Sequence, residues 1–316
     1  MTTGPWSVLE NAGPWELGEG LRATGGGFVA VDLLAGRLYR LGSAAPDAPA
    51  VPVASVPFPL GAAAPVEPAA PVEPAGPVEP AGPPGAAPSG WIVAAETGVA
   101  LLGGDGTLRW LARPEDGAPT AMRMNDGVAD PGGRFWAGSM AYDGTHGAGS
   151  LYRVDHDGTV RAVMDGLTTP NGPAFTADGR TMYLADSPHG VIYRIPVDPA
   201  SGELGDREVF ARVAAGSPDG MTVDTGGCLW SAIWGAAAVH RYAPSGDLIE
   251  VLPVPARQPT SVCLSPWPPS RVLVTTAAYG LGAPGRADGH VLVAETSARG
   301  RPADPFRLAQ GGGARD

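Results

Sequence analysis

The chain has 316 residues, enough for one large all-β domain or two ordinary ones, and 47 Gly and 35 Pro among 44% apolar residues favour short strands and turns over long helices. A net charge of −11 without a basic stripe argues against nucleic acid as a partner, and all 21 basic residues are Arg. No apolar run reaches about 18 residues, which predicts no membrane span.

The first residues, Met1-Thr2-Thr3-Gly4-Pro5-Trp6, lack the basic-then-apolar pattern of a secretion signal, and the predicted location is cytoplasmic. Cys228 and Cys263, neither in a Cys-x-x-Cys pair, read as buried free thiols. The five histidines are scattered, with no metal-type His pair and no Ser/His/Asp grouping, so a serine hydrolase has no support.

Taken in order, the chain repeats one unit. A strand of one type starts at Phe28, Trp91, Phe135, Met182, Leu229 and Val272, at spacings of 63, 44, 47, 47 and 43 residues. A second type follows each copy, beginning at Gly36, Gly106, Gly149, Gly190, Ala238 and Gly289, and Gly-bearing turns such as Asp130-Pro131-Gly132-Gly133 precede several of the first type. Six units of blade length, each with about four antiparallel strands, predict a single all-β domain over residues 1–316, a six-bladed β-propeller. The long first spacing comes from a Pro-Val-Glu-Pro-Ala repeat; residues 65–88 read as a disordered surface insertion in the second blade, because prolines at this density cannot feed a sheet ladder. The last unit is one strand short, and Trp6-Ser7-Val8-Leu9 is predicted to supply it and close the ring.

The innermost strand comes first in each blade, with its start at one mouth of the channel. Four starts carry polar groups: Gly18-Glu19-Gly20, Arg123-Met124-Asn125-Asp126-Gly127, Thr169-Pro170-Asn171-Gly172 and Ser217-Pro218-Asp219-Gly220. The other two read Leu60-Gly61-Ala62 and Gln258-Pro259-Thr260. Asn-Gly and Asp-Gly also make plain turns, but radial symmetry brings these positions to one ring. Glu19, Asn171 and Asp219, with Asn125 close by, then offer two carboxylates and amide oxygen, a set suited to a hard ion such as Ca²⁺, Mg²⁺ or Mn²⁺.

At these residues the sequence resembles the SMP-30/gluconolactonase/luciferin-regenerating enzyme family, which includes regucalcin. The segments that carry the resemblance are Leu17-Gly18-Glu19-Gly20, Arg123-x-Asn125-Asp126-Gly127 with Gly133-Arg134-Phe135-Trp136-Ala137-Gly138-x-Met140, Pro170-Asn171-Gly172 and Pro218-Asp219-Gly220-Met221. It departs from the family after the glutamate, where Leu21-Arg22-Ala23 replaces the usual Pro-x-aromatic. The resemblance implies one divalent ion (Ca²⁺, Mg²⁺, Mn²⁺ or Zn²⁺) held by Glu19, Asn171 and Asp219. It also implies contact of Arg123 and Asn125 with a sugar lactone, and Asp219 as general base in opening that lactone to the aldonic acid. The substrate rim is expected from loops around Tyr142–His146, Ser187–His189, Trp234 and Tyr279. Two alternatives stay open: a non-catalytic metal-binding or interaction propeller, and a hydrolase of another ester such as a phosphotriester.

Overall fold

Alternating apolar residues between glycine turns leave each unit as four short antiparallel strands. The computed structural model describes residues 4–42, 49–68 and 90–309 and folds them into six such sheets. Blade 1 runs Gly18–Thr24, Gly27–Asp32, Arg37–Gly42 and Val51–Ser55; blade 2 runs Leu60–Pro68, Gly90–Ala95, Gly98–Gly103 and Leu108–Ala112. Blade 3 is Met122–Ala129, Phe135–Ala141, Gly149–Val154 and Val160–Leu167, and blade 4 is Pro170–Phe175, Thr181–Asp186, Val191–Pro196 and Glu208–Arg212. Blade 5 is Ser217–Val223, Leu229–Trp234, Ala238–Tyr242 and Leu248–Pro253. Blade 6 takes Pro259–Leu264, Arg271–Thr276 and Val291–Glu295 from the end of the chain and Ser7–Leu9 from its beginning, with Ser7 opposite Val293 and Leu9 opposite Val291.

The first strands of successive blades pack on one another in a closed ring, so they are the innermost strands. Apolar side chains fill the spaces between blades; Trp136 and Trp230 are fully buried. Each of these indoles is tied to the aspartate that opens the preceding turn. Asp130 accepts from Trp136 Nε1 at 2.9 Å and from the Arg134 amide at 2.9 Å, and Asp224 accepts from Trp230 Nε1 at 3.0 Å and the Cys228 amide at 2.9 Å. The Asp-x-Gly-Gly turns therefore fix the core as well as reversing the chain.

Four details differ from the sequence reading. In blade 2 the segment at Leu108 is the fourth strand, because a two-residue turn at Glu96-Thr97 starts the third at Gly98. Residues 65–68 complete the first strand of blade 2, with Pro65 opposite Trp91, and residues 69–89 lie outside the described residues. Cys263 is buried but Cys228 only half so, and both are free. A further strand, Phe306–Leu308, runs parallel to the first strand of blade 2. It ends a strap that crosses the channel end opposite the inner-strand starts, where the Thr225 amide donates to Arg299 O at 2.9 Å and the Ala303 amide to Ala23 O at 2.6 Å.

Candidate functional site

Every inner strand slips register against its neighbour near its start: after Glu19, Leu60, Met124, Asn171, Pro218 and Pro259. A bulge takes residues out of the ladder and re-aims their side chains, and here the repeat places six bulges on one ring. Glycine makes the close approach possible. Gly172 has φ +52°, and a Cβ there would lie 2.7 Å from the Met221 amide and 2.8 Å from Asp219 O. A Cβ on Gly61 would lie 2.0 Å from Asn125 O. Blade 2 thus contributes room rather than a polar group.

Glu19, Arg123, Asn125, Asn171 and Asp219 are all buried at this ring. Arg123 Nη1 donates to Asn125 Oδ1 at 2.7 Å, and Asn125 Nδ2 donates to Asn171 Oδ1 at 2.6 Å and to Pro170 O at 3.1 Å. Asn171 Nδ2 donates to Ser187 Oγ at 2.9 Å, and that hydroxyl donates to Pro218 O at 2.6 Å, beside Asp219. One continuous chain of hydrogen bonds thus links blades 3, 4 and 5.

The two carboxylates behave as a crowded acidic pair. Burial pushes the Glu19 carboxyl up to about 8, with the Asp126 charge adding to it and the Gly20 amide, Arg123 and Arg22 opposing. Asp219 is raised well above the usual carboxylate range by burial, then by Glu19 and Asp126. Burial also lowers the Arg123 guanidinium, against the pull of Tyr142, Glu19, Asp219 and Tyr279. Asp219 Oδ1 is buried with no hydrogen-bond partner among the described residues. A buried, unpartnered carboxylate oxygen beside a second carboxylate fits a divalent cation, and the Asn171 amide oxygen keeps a free lone pair for it. No trio drawn only from His, Cys, Asp and Glu is grouped for a metal among the described residues, so any site here relies on the amide.

At the rim, Tyr142 and Tyr279 are exposed, and the Tyr142 ring centroid lies 5.9 Å from the Arg123 guanidinium. His146 and His189 meet edge to face at 5.3 Å. Trp234 instead packs against the apolar cluster of blades 1 and 2. The structure does bring Ser187, His189 and Asp186 together, but not as a triad: His189 Nε2 lies 3.1 Å from Thr168 Oγ1, and the Ser187 hydroxyl is committed to Pro218 O.

Sequence reasoning assigned no role to Arg22 or Asp126, and placed Ser187 only in a rim loop rather than in the hydrogen-bonded ring. Asp126 Oδ1 accepts from Arg22 Nη2 at 3.0 Å, and both side chains are buried. The available signal was charge: an arginine and an aspartate on inner strands must find each other or another partner.

These features define a six-bladed propeller with an acidic, oxygen-rich ring at one mouth of its channel. The sequence model described as SMP-30/Gluconolactonase/LRE-like region matches residues 17–278. The chain belongs to that family. Among curated relatives it is 38% identical over 177 residues to the 6-deoxy-6-sulfogluconolactonase of Pseudomonas putida, spanning 55% of this chain and 60% of that protein. It is also 38% identical over 208 residues to pentonolactonase XacC of Haloferax volcanii, spanning 63% of this chain and 70% of that protein. The crystal structure of the calcium-binding protein regucalcin from Agrobacterium tumefaciens superposes with a TM-score of 0.81 at 29% identity, covering 96% of this chain and 98% of that one.

Proposed function

We propose that this protein is a divalent-metal-dependent hydrolase that opens a sugar lactone to the aldonic acid. The observation that carries the reading is the buried, unpartnered Asp219 Oδ1 beside Glu19, on the same hydrogen-bonded ring as Arg123 and Asn125. The names of the Pseudomonas and Haloferax relatives support the substrate class.

Glu19, Asn171 and Asp219 would hold the ion. When bound, such an ion supplies Lewis acidity toward the lactone carbonyl and makes water a better nucleophile at neutral pH. Asp219 takes the proton from the attacking water as general base. Arg123, held by Asn125 Oδ1 and Met124 O, presents its remaining N–H groups to the substrate and offsets the charge developing on the carbonyl oxygen. Asn125, fixed by hydrogen bonds at both ends of its amide, keeps Arg123 and Asn171 in register. Hydrolysis of a neutral lactone to an acid requires no redox partner.

The test is a panel of aldonolactones assayed with and without chelator. Chelator-sensitive opening of one or more lactones is expected; activity that persists after exhaustive chelation removes the metal from the mechanism. A non-catalytic calcium-binding propeller is the second reading, favoured by the description of the Agrobacterium neighbour. Tight calcium binding without turnover across the panel would establish it.

A further inference from the structure

The inner ring holds a third carboxylate that the proposed chemistry does not use. Asp126 is 2% exposed, more deeply buried than Glu19 or Asp219. Its Oδ1 accepts from the Gly127 amide at 2.7 Å and from Arg22 Nη2 at 3.0 Å, and its Oδ2 accepts from the Gly172 amide at 2.9 Å, next to Asn171. Arg22 in turn donates to Leu21 O at 2.9 Å, to Gly127 O at 3.2 Å and to Ser261 Oγ at 3.4 Å. The pair therefore touches blades 1, 3, 4 and 6. The pair adjoins the site as well: Asp126 follows Asn125, whose amide donates to Asn171 Oδ1 at 2.6 Å, and Arg22 lies on the same inner strand as Glu19.

Stability alone gives no reason for a buried ion pair here, because well-packed apolar residues of similar volume usually do as well or better. Charge does give one. With all groups ionised, Glu19, Asp126 and Asp219 against Arg22 and Arg123 leave one net negative charge, which a divalent cation turns into one net positive charge where an oxyanion would form.

We propose that Asp126 and Arg22 are positioning residues that set the affinity of the Glu19/Asn171/Asp219 site for a divalent cation: Asp126 by adding negative charge beneath the site and fixing the Asn171–Gly172 bulge, Arg22 by tempering that charge. This rests on the metal reading above. It makes a signed prediction that a purely structural pin does not. Asp126→Asn leaves Arg22 uncompensated below the site and weakens cation binding by about tenfold or more, whereas Arg22→Met leaves Asp126 uncompensated and tightens it by about as much. Arg22→Lys keeps the charge and holds the affinity near the wild-type value, although the folded protein melts earlier.

The experiment is calorimetric titration of wild type and the three variants with Ca²⁺ and with Mn²⁺ in the absence of substrate, alongside melting curves. Opposite shifts for Asp126→Asn and Arg22→Met are the expected result. If both weaken binding, or neither changes it, the pair is only a structural pin and the proposal is overturned. If one of the two does not fold, the sign of the other decides; if neither folds, the pinning role has won and the proposal is likewise overturned. A wild-type protein that binds neither cation would instead sink the metal reading, and this proposal with it, whereas loss of the proposal alone leaves wild-type binding intact.

Discussion

Asp219→Asn keeps the size of the side chain and one oxygen but removes both its charge and its basicity. Glu19→Gln removes one charge from the proposed ion site and leaves the proposed base in place. Excess divalent metal should therefore partly restore Glu19→Gln, whereas Asp219→Asn stays down by about 10²-fold or more from loss of the general base. Arg123→Ala should lower turnover without weakening cation affinity, since its guanidinium offsets the charge of Glu19 and Asp219 and its removal leaves the site no less attractive to a cation. Turnover measured against metal concentration separates the three; a return of Asp219→Asn to wild-type turnover at saturating metal would show that the base lies elsewhere. At this scale the sequence revealed the residues better than their bonding. Glu19, Asn171 and Asp219 stood out because they share one phase of the repeat. Asp126 did not, because its partner Arg22 lies 104 positions away and no repeat relates the two. Ser187 sits in a short 3-10 turn whose contact with Pro218 depends on how two blades pack.

At the level of strands, the ring closes through Ser7–Leu9, which pairs with Val291–Glu295. Trp6 Nε1 adds a hydrogen bond to Pro253 O at 2.7 Å, tying the same segment to blade 5. Removing residues 1–9 bares the edge of Val291–Glu295 and should lower the melting temperature by about 5 °C or more. An unchanged melting curve would count against closure by this strand. The insertion invites the opposite expectation. Pro68 and Gly90 both lie at the end of blade 2 away from the Leu60 start, so replacing residues 69–89 with a short Gly/Ser loop should leave cation affinity and lactone turnover within about twofold of wild type. A folded deletion variant that fails to bind metal would overturn that placement. The closing strand was legible because the sixth unit visibly lacked a partner. The strand Phe306–Leu308 was not, because it adds a fifth strand to a blade already complete, and it pairs in parallel with a segment well over two hundred residues earlier.

For the molecule as a whole, the inner strands of all six blades meet where the carboxylates are buried, so occupancy of the site is coupled to the stability of the ring. In the metal-free protein Glu19 titrates near 8, against about 4.5 for the unfolded chain. A folded-state value above the unfolded one means that the folded protein holds an extra proton between the two. The corresponding stabilisation is complete below about pH 4.5 and is lost as pH rises through about 8. Asp219 shifts in the same direction and adds to the effect. The chelated protein should therefore melt at progressively lower temperature from pH 5 to pH 8.5, and Glu19→Gln should flatten that decline by removing one of the two titrating groups. Saturating divalent cation should abolish most of it in the wild type, since an ion that takes the place of the protons stabilises the ionised pair and stabilises the fold by mass action. Differential scanning calorimetry across this range, with and without metal, is the measurement. A melting temperature that is flat with pH in chelator, or that metal leaves unchanged at pH 8.5, would mean that the carboxylate pair is not ionised and stabilised by the cation in the way proposed.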